Sequence, residues 1–124
     1  MSPRIKLESL GRDLRTRSEL LAVLNGTVLK TNKIRSAFRA IDRRDFVPAK
    51  YARHAYADIP LSIGLKQTIS QPYTVAYMLE LLEPKKGEKV LDVGSGSGWT
   101  AALLGHIVGS SGEVVGVELL PELV

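Results

Sequence analysis

The chain has 124 residues, no cysteine and two histidines, with 44% hydrophobic and 24% charged residues and a formal net charge of +4. That composition suits a globular domain with a modest core, and it excludes a disulfide framework, a thiolate metal site and a His-rich site. No apolar run approaches the roughly 20 residues of a membrane-spanning helix and the basic N-terminus lacks an apolar signal core, so a cytoplasmic protein with no membrane partner is expected.

Residues 1–6 read as a frayed end. From Leu7 to Asn25 the positions Leu14, Leu20, Leu21 and Leu24 predict an amphipathic helix, stopped by a C-cap signal at Asn25-Gly26. Thr31 is suited to cap a second helix, whose Ile34, Phe38 and Ile41 form one apolar stripe and which ends before Pro48. Residues 49–69 contain Pro60 and Gly64, show no helical period, and read as loop with short extended pieces. Ser70 then caps a helix with Pro72 in its first turn. Val75, Met78, Leu79 and Leu82 form its buried face, and Glu83-Pro84-Lys85-Lys86-Gly87 ends it. Lys89–Val93 is a strand apolar enough to be buried on both faces, as parallel strands are. Trp99 to Val108 is a crossover helix, Gly109 to Gly112 a return loop, Glu113–Glu118 a second parallel strand, and Pro121 opens a further helix.

An open α/β sheet has more than two strands, so the chain reads as a fold cut after its first βαβ unit. Residues 1–69 are expected to supply N-terminal helices and a substrate-side loop, and residues 70–124 the start of a Rossmann-like domain. Charge is unevenly spread: residues 1–53 hold 13 Lys and Arg against 5 Asp and Glu, residues 54–124 hold 4 against 8. A nucleic-acid face is one reading. Solvated outer faces of helices is the preferred one, because no aromatic residues interleave the basic ones.

The strand-to-helix turn carries the chemistry. Gly94, Gly96 and Gly98 let the backbone take positive φ and let a ligand approach without a Cβ in the way. Glu118, at the tip of the next strand, is placed to accept the hydroxyls of a ribose. A dinucleotide fingerprint would put its third Gly where Trp99 stands, and Asp92 would repel a pyrophosphate. S-Adenosylmethionine has no phosphate and carries an ammonium and a sulfonium, and it suits the turn better. Asp92 followed by Gly94-Ser95-Gly96 resembles motif I of the class I methyltransferases.

A second signature lies upstream: Ala55-Tyr56-Ala57-Asp58-Ile59-Pro60-Leu61-Ser62-Ile63-Gly64, then Gln67-Thr68-Ile69-Ser70-Gln71-Pro72, preceded by Arg44-Asp45-Phe46-Val47-Pro48. With the glycine turn, these elements closely resemble the protein-L-isoaspartate O-methyltransferase family from about Leu20 onward. The resemblance implies an α/β, Rossmann-like class I methyltransferase fold that in the family extends beyond this C-terminus. It implies methyl transfer from S-adenosyl-L-methionine to the free carboxylate of isoaspartyl residues in damaged peptides and proteins, with S-adenosyl-L-homocysteine as product and no metal. By the same match Ser70 is the active-site residue, with Thr68 beside it. Ile69, Ser70, Gln71, Asp92, Gly94, Ser95, Gly96, Glu118 and Leu119 are the cofactor contacts. The carboxylate is already anionic and the sulfonium already activated, so alignment can supply most of the rate, up to ~7–11 kcal/mol in favourable cases.

Other readings stand beside these. Ser70 serves as helix cap and site residue together, and Thr68 is structural or functional. Asp58 is a turn residue bonding its own backbone in preference to a site role. Tyr73 and Trp99 are packing residues, and His106 lies at the surface or boundary. The rivals in function are a class I methyltransferase acting on RNA or a small molecule, and an inactive cofactor-binding fragment that self-associates through an exposed strand edge.

Overall fold

A computed structural model describes residues 14–120. Helix α1 spans Arg17–Thr27, with Thr16 as its N-cap: the Thr16 hydroxyl oxygen accepts from Glu19 N at 3.2 Å. The Thr-x-x-Glu pattern at 16–19 is a capping-box signature, and it starts the helix well after Leu7. The expected stretch from Leu7 to Asp13 and the helix opened by Pro121 lie outside the described residues. Leu14 is buried ahead of α1. Gly26 does not stop the helix, which runs on to Thr27 because the next residues, Val28 and Leu29, are drawn into the core.

Helix α2, Asn32–Ala40, buries Ile34, Ala37 and Phe38, as the apolar stripe predicts. Thr31 stands at its N-cap but its side chain makes no capping bond. A carboxylate from another helix instead fixes the residues that lead into α2: Glu80 accepts from Lys30 N, Thr31 N and the Thr31 hydroxyl at 2.7–2.8 Å. The stretch 49–69 is more ordered than a loop. Short 3-10 turns at Arg43–Phe46 and Ala49–His54 lead into strands β1, Leu61–Gly64, and β2, Gln67–Ile69, which pair as an antiparallel hairpin. Leu65 and Lys66 turn its tip, both with positive φ.

Helix α3, Pro72–Leu82, follows. Strand β3, Lys89–Val93, helix α4, Trp99–Val108, and strand β4, Glu113–Val117, then form the expected βαβ unit. The two strands are parallel and in register from Lys89 opposite Glu113 to Val93 opposite Val117. One core runs from Leu14 through Ile107, so α1, α2, α3, the hairpin and α4 share a single apolar cluster.

Two burial expectations fail together. On α3 the buried residues are Pro72, Val75, Ala76 and Leu79, while Met78 and Leu82 are exposed. Strand β3 is covered on one face only: Val90 packs against the core, but Leu91 and Val93 are 62% and 77% exposed. The reason is layering. Helix α4 covers one side of the β3–β4 pair, and among the described residues nothing covers the other.

Candidate functional site

The glycine turn is closed on the end of β4. Gly94 N and Ser95 N both donate to Val117 O, at 2.7 and 3.0 Å, and Gly98 N donates to Ser95 O at 2.9 Å. Glu118 joins strand tip and turn: its Oε2 accepts from Gly96 N at 2.7 Å and its Oε1 from Leu120 N at 3.3 Å. All three glycines have positive φ, at 72°, 54° and 89°, so a side chain at any of them would be strained. The amides of residues 94, 95, 96 and 98 are thus already engaged within the protein. A phosphate cradle needs such N–H groups free.

Asp92 and Trp99 flank the turn. Asp92 Oδ2 is buried and has no hydrogen-bond partner among the described residues, and burial pushes its carboxyl above the ordinary carboxylate range. Trp99 opens α4 directly after Gly98 and is 2% exposed, edge-on to Phe38 at 5.7 Å between ring centres. It is a core residue, as expected.

The second signature sits against this turn. A Cβ on Gly96 would lie 3.8 Å from Ile63 Cδ1, so the hairpin abuts the glycine loop. Thr68 and Ser70 are exposed, Ile69 is buried and Gln71 is half-buried. Ser70 is not the helix cap. Gln71 occupies that position with no side-chain bond, and the free amide of Tyr73 donates to Asp58 Oδ1 at 2.8 Å. Asp58 therefore caps α3 from fifteen residues upstream instead of bonding its own turn. His106 is exposed, with its Nε2 3.3 Å from the Ser36 hydroxyl.

Sequence reasoning missed Arg43. It is 2% exposed, and its guanidinium donates to four carbonyls: Ala55 and Ala57 at 2.9 and 3.1 Å, Ile59 at 2.8 Å and Ser70 at 3.1 Å. Desolvation lowers its pKa to about 10, against the opposing pull of Asp58. Basic residues in the N-terminal half are thus not all solvation. Only the small, buried Ala55 and Ala57 around Tyr56 signal in sequence that something bulky fits between them.

Comparison with known proteins decides the family. The family model for protein-L-isoaspartate(D-aspartate) O-methyltransferase matches residues 15–124. The chain belongs to this family. It is 50% identical over 93 residues to protein-L-isoaspartate O-methyltransferase 2 of Archaeoglobus fulgidus, covering 75% of this chain and 42% of that protein. It is 47% identical over 106 residues to the Anaeromyxobacter dehalogenans protein-L-isoaspartate O-methyltransferase, covering 86% and 49%. A solved protein-L-isoaspartate O-methyltransferase superposes with a TM-score of 0.74 at 32% identity, covering 87% of this chain and 35% of the other. A Plasmodium falciparum structure assigned to the same enzyme class, in complex with S-adenosyl-L-homocysteine, gives 0.77 at 26% identity, covering 90% and 52%. The chain therefore spans a little under half the length of the curated relatives it matches. The fold is the family's Rossmann-like methyltransferase fold, and the family is S-adenosylmethionine-dependent.

Asp92 Oδ2 is a buried acceptor awaiting a donor, which an α-ammonium would supply. The Glu118 carboxylate keeps lone pairs beyond the two it gives to backbone amides, because each of its oxygens can accept twice. Leu119, next to it, is fully open to a flat apolar group. The residues fit. A groove of about 460 Å³ between α3 and β3 shares only Asp92 with the motif, so it lies beside the turn and not on it.

Proposed function

We propose that this chain carries the cofactor turn and the carboxylate-binding segment of a protein-L-isoaspartate O-methyltransferase, acting on isoaspartyl residues of damaged cytoplasmic proteins. The observation that carries the reading is the family match over residues 15–124, which takes in both the Thr68–Pro72 element and the glycine turn. When bound, S-adenosyl-L-methionine supplies an activated methyl group, and a carboxylate oxygen takes it in a single displacement that releases S-adenosyl-L-homocysteine and moves no proton. The chain's own residues hold and orient. Gly94, Ser95 and Gly96 let the ligand approach the backbone, Asp92 receives its ammonium, and Glu118 accepts from its ribose with Leu119 alongside. Ile69 and Gln71 border the cofactor from the hairpin side. The Ser70 hydroxyl, exposed and not consumed as a cap, donates to the substrate carboxylate, with Thr68 at the same mouth.

The turn favours S-adenosylmethionine over a dinucleotide, because its amides are engaged and Asp92 stands beside it. Calorimetric titration with S-adenosylhomocysteine, with NADH in parallel, tests this. Heat from the nucleoside and none from NADH is expected; the reverse would reject the reading. Methyl transfer is then scored on an isoaspartyl peptide against its aspartyl isomer.

A second reading, cofactor binding without turnover by these 124 residues alone, is favoured by the bare apolar face of β3 and β4. Binding without transfer would support it.

A further inference from the structure

Arg43 belongs to neither signature, yet it touches the second one and the residue that directly follows the glycine turn. Its two terminal nitrogens spend all four of their N–H groups on backbone carbonyls. Two of those carbonyls matter most. Ile59 O lies just before β1 and Ser70 O just after β2, so one guanidinium pins the two ends of the hairpin together at its base. Its guanidinium carbon lies over the indole of Trp99, 5.4 Å from the ring centre, and Trp99 is the first residue of the helix that leaves the glycine turn. The turn that presents Arg43 is itself fixed: Asp42 Oδ1 accepts from Arg44 N at 3.0 Å and from the Tyr56 hydroxyl at 2.8 Å.

We propose that Arg43 is the positioning residue of the site, a buried fork that sets the Ser70 segment and the Leu61–Ile69 hairpin at a fixed distance from the glycine turn. The proposal rests on the methyltransferase reading above for its purpose, though not for its geometry. A buried cation is costly unless its donors are used: four of the five Arg43 N–H groups are, the Nε–H is buried with no partner among the described residues, and cross-linking backbone at four carbonyls is an arrangement a hydrophobic residue could not supply. Lysine could not replace it. An ammonium offers three donors from a point and no planar face for the indole, whereas the guanidinium offers a fork and a face together.

Arg43→Lys and Arg43→Met, compared with the unmodified chain, test the assignment. Hydrogen exchange is read without ligand at the Leu61–Ser70 amides and in α2 and α4, and S-adenosylhomocysteine affinity is read from the emission of the single tryptophan. Expected for both variants is exchange of the hairpin and Ser70 amides faster by about tenfold or more, as for lost bonds to a charged donor, with α2 and α4 still protected. Affinity for S-adenosylhomocysteine should fall several-fold, and Lys should not rescue it. Unchanged exchange at Leu61–Ser70 in the Lys variant overturns the clamp, including where the Met variant does not fold. Faster exchange there with unchanged affinity overturns the positioning role. An unmodified chain that fails to bind S-adenosylhomocysteine overturns the cofactor reading instead, and the exchange comparison still judges the clamp.

Discussion

Asp92 holds a carboxylate oxygen that is buried and that no donor among the described residues answers. Burial raises its pKa, so the native state binds a proton at higher pH than the unfolded chain does. Ionising it therefore costs native stability as pH rises from the ordinary Asp value near ~3.9 through the raised one. Asp92→Asn removes that cost. It should raise the melting temperature at pH 7, lose the advantage as pH falls toward the ordinary Asp range, and weaken S-adenosylhomocysteine binding. A melting series over pH and one titration check this. A buried acid kept at a cost in stability is a common mark of a binding site. Ser70 makes the complementary case. Because it caps nothing, Ser70→Ala should leave the melting temperature essentially unchanged, whereas losing an N-cap would cost about 0.5–2 kcal/mol. Where turnover is measurable, the same change should lower methyl transfer to an isoaspartyl peptide far more than it lowers cofactor affinity. Equal loss of both would remove Ser70 from the carboxylate's side of the site.

Between elements, long-range capping does more than local capping. Glu80 on α3 serves the N-terminus of α2, and Asp58 before the hairpin serves the N-terminus of α3. Burial opposes ionisation of Glu80, but the hydrogen bonds from Thr31 and Lys30, with help from Arg35, hold its pKa below the usual glutamate value. A depressed carboxylate contributes stability above its unfolded pKa, and that contribution disappears as pH falls through the depressed native value. Solvent screens these exposed bonds, so Glu80→Ala should cost about 1 kcal/mol or less at pH 7, and much less at pH 2–3. Denaturant unfolding at the two pH values measures the difference. These partners sit 15 and about 50 residues apart, so no window of local sequence could pair them. The Thr16-x-x-Glu19 box is the contrary case, readable locally.

At the scale of the molecule, the main feature is an apolar face that no described residue covers. Leu91 and Val115 stand opposite each other in the β3–β4 register and are both exposed, with Val93, Val117 and Met78 exposed as well. Contiguous apolar surface of this kind drives association, and an unpaired strand edge templates it. The described chain should sediment above monomer mass at micromolar concentration. Leu91→Glu combined with Val115→Lys places opposite charges across the strands and should shift it toward monomer without unfolding it. A unimodal monomer for the unmodified chain by light scattering would show that this face does not drive association.

The sequence by itself determined the local grammar: the βαβ unit, the glycine turn with positive φ, the apolar stripe of α2, and the family likeness on which the site rests. These follow from spacing, period and residue type, which act over a few neighbours. Tertiary structure alone decided which carboxylate serves which helix start, that Ser70 is left free, and that Arg43, among the described arginines, is the buried one. It also decided which face of β3 is bare. An arginine at the surface and an arginine at the centre read alike in sequence. What separates them is whether four carbonyls and an indole converge on it in space.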